Sequence, residues 1–385
     1  MSTGAGELFQ ILRDGRPRTR AELVDETGLA RTSVVNRLSA LSSVQLVAPT
    51  SVPAASGGRP ATQLVFDRTA RVCIGVDLGA THGAVGVMDL SGAVLVEDRR
   101  SIEIASGPTA VLTWVVETAE RLLAEIGRSP DDVLGIGIGV PGPVEHSTGR
   151  PTRPPIMPGW DAFDIPGFIA GRIPARVLVD NDVNLLALGE RATHWPEVRD
   201  LLFIKVSTGI GAGIISGGVL QRGSRGSAGD IGHVLVPGTA GDHDLEETAS
   251  IPAIVASLQG RAAGAAGDVI DRILIGEPEA ISAARAAGRA IGEVAAMCVS
   301  VLNPSVIVIG GQLGSRVQEI IAGVREIVYR RSIPLATQHL DISTARGGVS
   351  AGIRGAGLMV LDDLLSADAI DDLIERSTAR VMIAG

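Results

Sequence analysis

The chain has 385 residues, of which 45% are hydrophobic, 20% are charged and only 2% are aromatic. This length and composition indicate a globular protein of two or three domains with aliphatic cores. Its two cysteines, Cys73 and Cys298, lie far apart in apolar runs, which favours buried thiols over a disulfide framework or a zinc cluster. Because the sequence shows neither an N-terminal signal pattern nor an apolar run of about 18 residues, we expect a cytoplasmic protein with no membrane partner.

Charge is distributed unevenly along the chain. The net charge is -9, but residues 1–70 hold eight arginines and six acidic residues and so carry +2, which leaves -11 for the rest. A basic first segment on an acidic body is a weak indication that this segment contacts nucleic acid.

The first 41 residues carry the pattern of three short helices. Apolar residues in 7–13 recur at helical spacing, and Thr19 with Glu22 predicts the capping box of a second helix. Gly28 ends that helix, and a third covers residues 30–41. Two helices joined by a tight glycine turn are typical of the helix-turn-helix motif.

The third predicted helix has an apolar side and a polar side. Its inward side is predicted from Leu29, Val34, Val35, Leu38 and Leu41. The opposite side carries residue types that contact phosphates and base edges. We therefore predict a DNA-binding face formed by Arg31, Thr32, Ser33, Asn36 and Arg37.

Two short strands, 44–47 and 63–66, follow this helix, and a glycine- and proline-rich loop containing Arg59 joins them. Such a hairpin is a wing that can place Arg59 on the DNA backbone or in a minor groove. We therefore predict a winged helix-turn-helix domain over residues 1–70. Such domains usually act in dimers because operators carry two half-sites. The alternative is a three-helix bundle with a polar surface.

The remaining chain contains a repeated unit. Residues 72–100 and 201–223 share one layout of apolar strand, glycine turn, apolar strand, glycine turn and short strand. The repeat predicts a duplicated, two-lobed α/β fold with a nucleotide in the cleft between the lobes.

The glycine turns of both units carry residues suited to phosphate binding. Asp77 can hold the water shell of a magnesium ion, Gly79 lets the backbone approach a phosphate, and Thr81 offers a hydroxyl. The second turn can offer backbone N–H groups to phosphate at Thr208, Gly209, Gly211 and Gly213. Gly310 and Gly311 can let a purine lie against the backbone. The alternative for both turns is a tight hairpin that needs glycine for positive φ.

Together these elements resemble the ROK family (repressors, open reading frames, kinases). The motifs that carry the resemblance span 71–385: DLGAT (77–81), GIGIGVPGPV (135–144), DNDVN (180–184), STGIGAG (207–213), GDIGH (229–233) and NPSVIVIGG (303–311). With the winged head, the chain is similar to the family's transcriptional-regulator branch. The resemblance implies an α/β fold: a winged helix-turn-helix, then a two-lobed actin-like, sugar-kinase ATPase (ribonuclease H-like) body. It implies a first lobe of 71–180 plus about 360–385 and a second lobe of 181–359.

The resemblance also implies a sugar site at the DNDVN motif. Asp182 matches the catalytic base that takes a proton from the attacking sugar hydroxyl, and Asn181 matches a residue that holds a sugar hydroxyl with both ends of its amide. The chemistry is consistent, because phosphoryl transfer needs a carboxylate at the nucleophile. The structural alternative for Asp182 is a helix N-cap, since LLALGER follows.

The stretch GDIGHVLVPGTAGDHDLEETAS (229–250) departs from the family pattern. In the family it leads into a zinc knuckle of one histidine and three cysteines, and all three cysteines are absent here. Structural zinc needs four ligands, so we expect no metal at His233. A substitute site formed by His233, Asp242, His243 and Asp244 is the weaker alternative.

The sugar contacts implied by the resemblance persist in part. His233 and Glu246 match the family's sugar-binding histidine and glutamate, while Asp230 replaces a glutamate that is one methylene longer. Ile156 replaces an asparagine in the PIMPGW segment. Loss of a polar partner lowers affinity and selectivity, so we expect a site altered for a different sugar or for none.

Three functions are compatible with these observations. The first is a transcriptional regulator, a repressor in its simplest form, which needs no cofactor and acts as a homodimer or dimer of dimers. Its partners would be a double-stranded DNA operator and a sugar or sugar-phosphate effector. The second is an active sugar kinase that uses ATP and magnesium, and the third is a metabolic enzyme whose head only oligomerises. The altered sugar site and the absent zinc knuckle favour the first.

Overall fold

The computed structural model describes residues 4–50, 62–237, 243–258 and 266–384. The predicted wing residue Arg59 and Asp242, a ligand only in the weaker alternative of a substitute metal site, lie outside the described residues.

The N-terminal domain is a helix-turn-helix with a small sheet. Its helices are α1 (Ala5–Leu12), α2 (Arg20–Thr27) and α3 (Arg31–Ser43). Its strands are β1 (Arg18–Thr19), β2 (Val47–Pro49) and β3 (Gln63–Phe66), in the antiparallel order β1-β3-β2. The capping box of Thr19 and Glu22 is confirmed, and Gly28 ends α2 in the left-handed conformation at φ 67°. Strand β2 starts three residues later than predicted.

Two five-stranded sheets form the rest of the protein. The first contains β4 (Val72–Leu78), β5 (His82–Asp89), β6 (Val94–Ser101), β7 (Val133–Val140) and β10 (Arg176–Asn181), beside a separate hairpin of β8 (Val144–Glu145) and β9 (Arg150–Pro151). The second contains β11 (Leu201–Val206), β12 (Ile210–Ser216), β13 (Val219–Leu220), β14 (Val306–Gly310) and β15 (Asp341–Thr344).

The two sheets have the same topology. Read in matching directions, their orders are β6-β5-β4-β7-β10 and β13-β12-β11-β14-β15. In each sheet the first strand of the repeat pairs antiparallel with the second and parallel with the fourth. The duplicated, two-lobed α/β fold predicted from the repeat is confirmed.

Twelve α-helices of the described chain follow the winged head. The first lobe and the cleft contain α4 (Pro108–Glu125), α5 (Ile165–Ala170) and α6 (Asp182–His194). The second lobe contains α7 (Leu245–Ala249), α8 (Ile251–Ser257), α9 (Ala266–Leu274), α10 (Pro278–Leu302), α11 (Gly311–Gly314), α12 (Gln318–Arg331) and α13 (Pro334–Thr337). The chain returns to the first lobe through α14 (Ala351–Leu364) and ends in α15 (Ala367–Ala384).

Helix α14 packs directly on the first sheet because glycines in the strands leave room for its backbone. A Cβ on Gly75 of β4 would lie 2.1 Å from the carbonyl oxygen of Ile353, and one on Gly137 of β7 would lie 2.0 Å from that of Ala356. Any side chain at these strand positions would push the helix away. The lobe boundary predicted at 359/360 falls inside this single helix.

Helices α6 and α14 cross at similarly short range. A Cβ on Gly355 would lie 1.8 Å from the Leu185 carbonyl oxygen, and one on Gly189 would lie 2.0 Å from that of Ala351. Helix α6 also contacts β11 and β12 of the second sheet. This helix pair is therefore the packed connection between the lobes.

The C-terminal helix corrects one expectation. The resemblance assigned residues of about 360–385 to the first lobe, but α15 packs mainly against α1 of the winged head. One hydrophobic cluster joins Phe9 and Leu38 of the head, Met88 of the first sheet and Ile370 of α15. The head therefore shares a core with the body. No helix in the described part of the chain is long and apolar enough to cross a membrane.

Candidate ligand cleft and DNA-binding face

The predicted sugar and phosphate residues lie at the strand ends of the two sheets. Asp77 is near the end of β4, and Asp182 begins α6 directly after β10. Lys205, which was not predicted, is near the end of β11. In parallel α/β sheets, ligand sites form beyond these carboxyl ends.

Asp182 is buried, with 3% exposure, and its Oδ2 forms an ion pair with the ammonium of Lys205. Burial raises the pKa of Asp182, while Lys205 opposes this shift. The N-cap alternative for Asp182 is wrong: Asn181 caps α6, and Asp182 is the first residue inside the helix.

The side chain of Asn181 is engaged within the protein. Its Oδ1 accepts from the Val183 amide at 2.9 Å, and its Nδ2 donates to the Gly142 carbonyl at 3.0 Å. Both ends of the amide that the resemblance assigned to a sugar hydroxyl thus hold the start of α6 in place. Each end keeps capacity for one further hydrogen bond.

Asp180 organises a polar cluster that the sequence analysis did not assign to the site. This carboxylate is 2% exposed, and it accepts hydrogen bonds from Arg222 Nε at 2.6 Å and from Asn184 Nδ2 at 2.7 Å. His146 Nδ1 lies 3.7 Å away. The acid at the end of the strand RVLVD was the available signal, but its partners come from distant segments.

The first glycine turn is filled by its own chain. The Gly79 N–H donates to the His82 carbonyl at 2.9 Å, and a Cβ on Gly79 would lie 2.1 Å from the His82 ring. The Nε2 atom of this ring is 3.7 Å from Asp77 Oδ2, and Thr81 is exposed. A Cβ on Gly352, in the first turn of α14, would lie 2.3 Å from the Asp77 carboxyl carbon.

The second glycine turn is similarly engaged. Glu246 Oε2 accepts from the Ile210 amide at 3.0 Å and would lie 2.9 Å from a Cβ on Gly209, while Thr208 is exposed. Gly211 and Gly213 allow β12 to approach α6: their added Cβ atoms would lie 3.3 Å from Val183 and 2.6 Å from Ala187. Packing within the chain therefore accounts for these two glycines.

The predicted purine position is also in contact with its own sheet. A Cβ on Gly310 would lie 2.4 Å from the Phe203 ring, and one on Gly311 would lie 2.5 Å from the Val206 carbonyl oxygen. Gly311 has φ 83°, so glycine is required there for conformation as well.

Asp230 and His233 form an exposed pair at the start of the altered loop, with Asp230 Oδ1 2.9 Å from His233 Nδ1. The carboxylate raises the pKa of His233. Ile156, the other departure from the family pattern, is also exposed.

Hydrogen bonds hold the altered loop together. Its two sides pair through Glu246 N to Gly232 O, Leu245 N to Val234 O and Val236 N to His243 O. Asp244 and Glu247 form the capping box of α7. Among the described residues no group of three or more His, Cys, Asp or Glu side chains is placed to hold a metal ion.

The face of α3 that was predicted to bind DNA differs in part from the prediction. Arg31, Thr32 and Asn36 are exposed and Ser33 is half-buried. Val35, expected inside, is 39% exposed. Arg37, expected outside, lies against Gly4 of the first helix and 3.7 Å from the Glu7 carboxylate. An exposed valine on such a helix can contact a thymine methyl.

Lys205 is a second residue that sequence reasoning missed, after Asp180. It is the only lysine in the chain, and the other 33 of the 34 basic residues are arginines. That singularity was a signal in the sequence, although its ion pair joins β11 of one lobe to the start of α6 and could not be read from local spacing.

Comparison with known proteins identifies the class. The ROK family model matches residues 73–363. The chain therefore belongs to the ROK family.

Two groups of relatives cover the chain differently. The xylose repressor of Caldicellulosiruptor bescii is 26% identical over 386 residues, covering 93% of this chain and 95% of its own length. The glucokinase of Thermotoga maritima is 28% identical over 314 residues, covering 74% of this chain and 96% of its own length.

Among solved structures, a ROK family transcriptional regulator described as a homologue of the Escherichia coli MLC protein superposes with a TM-score of 0.80. It has 23% identity and covers 96% of this chain and 98% of its own. A ROK family glucokinase from Streptomyces griseus, in complex with glucose and AMPPNP, gives a TM-score of 0.63 at 26% identity, covering 75% and 98%.

Proposed function

We propose that this protein is a DNA-binding transcriptional regulator, acting as a repressor, whose ROK body binds a sugar or sugar derivative. The observation that carries the proposal is the winged head itself. The head presents an exposed α3 face, and its buried residues share one hydrophobic core with a sugar-kinase-like body. The xylose repressor matches 93% of this chain and 95% of its own length, whereas the glucokinase matches 74% of this chain and 96% of its own length.

Helix α14 gives the cleft a physical route to the head. Its first turn lies against the Asp77 carboxylate, and its last turn reaches α1, where the Leu365 carbonyl accepts from Gln10 at 2.7 Å and Asp362 pairs with Arg13 at 2.7 Å. Fourteen residues of helix span about 21 Å. A ligand that moves the start of α14 would therefore move the surface that holds the head.

Operator recognition requires two heads. Winged helix-turn-helix domains bind paired half-sites, so the functional unit we propose is a homodimer or a dimer of dimers. The effector would then act by changing the separation of the two α3 helices.

Sugar phosphorylation is the alternative function, and the family's kinases favour it. Phosphoryl transfer would need ATP with magnesium, held at Asp77 and the two glycine turns, and a base at Asp182. In this chain the Gly79 and Ile210 amides and the Asp182 carboxylate are bonded to His82, Glu246 and Lys205 respectively. This arrangement does not fit a bound triphosphate, so we propose that the body is not an active kinase.

In vitro selection of duplex DNA from a random library by the full chain tests the proposal. We expect enrichment of a two-half-site sequence that a variant with Arg31 and Asn36 replaced by alanine does not enrich. A coupled ADP-release assay with glucose, xylose and N-acetylglucosamine provides the second arm. Enrichment of no sequence, or sugar-dependent turnover of ATP, would contradict the proposal.

A further inference from the structure

The single lysine of this chain lies near the carboxyl end of β11, where it pairs with Asp182 at the start of α6. Every other basic position is an arginine, yet β11 carries a lysine three residues before Thr208, with its ammonium on Asp182. Arginine and lysine differ here in geometry. Arginine presents a planar fork suited to two-point contact with one carboxylate, whereas an ammonium is a compact charge with three donors that can serve several acceptors.

Both members of the pair keep unused hydrogen-bonding capacity. Lys205 donates one of its three hydrogens to Asp182 Oδ2, and its side chain is 19% exposed. The only hydrogen bond to the Asp182 carboxylate from a described residue is the one from Lys205 to Oδ2, so Oδ1 accepts none. The pair thus presents a charged donor, the Lys205 ammonium, beside a charged acceptor, Asp182 Oδ1.

Two other basic side chains assigned to the site are paired with carboxylates of this chain. Arg222 is bonded to the buried Asp180, and His233 is bonded to Asp230. Asp77 adds a buried carboxylate beside His82. Arg222 and His233 are thus each bonded to a carboxylate of this chain, and the Asp77 carboxylate would repel a phosphate or carboxylate group.

We propose that Lys205 and Asp182 together form the specificity-determining contact of the effector site, and that they select an uncharged sugar over its phosphate or acid. The ammonium donates to one ring or hydroxyl oxygen, and the carboxylate accepts from the neighbouring hydroxyl. Adjacent hydroxyls are the group that supplies an acceptor and a donor at this spacing. The inference rests on the sugar-binding part of the proposed function and adds the contact residue and the ligand class.

Because the chain has one lysine, its ammonium can be observed alone. Protein grown with carbon-13-labelled lysine gives a single Cε cross-peak in a proton–carbon correlation spectrum. The probes are D-xylose, D-glucose and N-acetylglucosamine, compared with glucose 6-phosphate and N-acetylglucosamine 6-phosphate, and thermal shift reports which of them bind. We expect the sugar that stabilises the protein to move the Lys205 peak and the phosphate esters to do neither.

The possible outcomes separate this inference from the proposed function. A sugar that stabilises the protein without moving the peak, or a phosphate ester that binds better than its parent sugar, would overturn the role of Lys205 but leave sugar sensing intact. If no probe stabilises the protein, sugar sensing fails and this inference fails with it. DNA selection is independent of both results.

Variants give a second test. Lys205→Met should weaken binding of the stabilising sugar by about tenfold or more, the loss expected from one charge-assisted hydrogen bond. Because this change leaves a buried carboxylate unpaired, the double variant Lys205→Met with Asp182→Asn serves as a neutral counterpart that should fold and also bind weakly. Arg316→Met, an exposed change in the same lobe, should bind normally. Wild-type affinity in folded Lys205→Met or in the double variant would refute the proposal.

Discussion

The carboxylate of Asp371 in the C-terminal helix accepts hydrogen bonds from two backbone amides at the start of the head: Gly6 of the first helix, at 2.9 Å, and Gly4, the N-cap of that helix, at 3.2 Å. Asp371 is 6% exposed, so these bonds form away from water. The start of a helix leaves amides without intrahelical partners and favours negative charge. Asp371 of α15 thus supplies acceptors for amides at the start of α1.

Asp371→Asn should loosen the head. The amide nitrogen would face an N–H donor, so one bond is replaced by a repulsive contact, and we expect the free energy of unfolding to fall by about 1–3 kcal/mol in urea titrations. Asp372→Asn is the matched control: its side chain is 66% exposed, and its surface pairing with Arg376 should contribute less than about 0.5 kcal/mol. Equal effects of the two changes would argue against docking of the head by Asp371.

The helix crossing between the lobes predicts a second effect. Gly355→Ala places a methyl group 1.8 Å from the Leu185 carbonyl and should destabilise the protein by about 1–3 kcal/mol or more, because neither backbone can yield without separating α6 from α14. Gly171→Ala is the control, since its nearest atoms lie at 3.6 Å and its φ is -66°. Chemical denaturation measures both, and a neutral Gly355→Ala would mean that the crossing is looser than described.

Replacing the exposed residues of α3 should weaken DNA binding in distinct ways. Arg31→Ala should lower affinity for a selected duplex and reduce the slope of log affinity against log salt by about 1, the loss of one phosphate contact. Arg37→Ala should act mainly on head stability, because this side chain lies against Gly4 and Glu7. Fluorescence anisotropy over a salt series, with exposed Arg121→Ala as control, distinguishes them. A larger loss of salt dependence for Arg37→Ala would reverse the assignment.

The Asp230–His233 pair predicts a pH dependence. Since the folded pKa of His233 is raised above its ordinary value of about 6.5, the pair's stabilisation is full below that value and is lost as pH rises through the folded pKa. Histidine proton resonances should therefore titrate His233 at higher pH in the wild type than in Asp230→Asn. Asp131→Asn, in the first lobe, should leave the His233 curve unchanged. An unshifted curve in Asp230→Asn would show that the pair does not form in solution.

Local chemistry in the sequence predicted the fold well, and long-range contacts explain what it missed. The Thr19 capping box and the repeated strands depend on neighbours a few residues apart. The reversal of Val35 and Arg37 has a different cause: apolar character alone assigned Val35 to the core, although Val34 and Leu38 already fill that face. Glu7, which holds Arg37, lies on another helix.

The sequence predicted which residues belong to the candidate site, but it did not predict which residues they contact. The motifs located Asp77, Asp182 and Glu246, but the partners of these carboxylates come from other segments. No spacing rule links Lys205 on one sheet to Asp182 beyond the other. The packing of Gly6 against Ala367 likewise joins residues from opposite ends of the chain.

The central claim is that a ligand in the cleft controls DNA binding by the head. Its most direct test is the dissociation constant of the full chain for its selected duplex, measured by anisotropy with and without the sugar that stabilises the protein. A coupling of about 1–3 kcal/mol is typical of such linkage, so we predict that the sugar weakens DNA binding by about 5-fold to 150-fold. A dissociation constant that stays the same at saturating sugar would contradict the account.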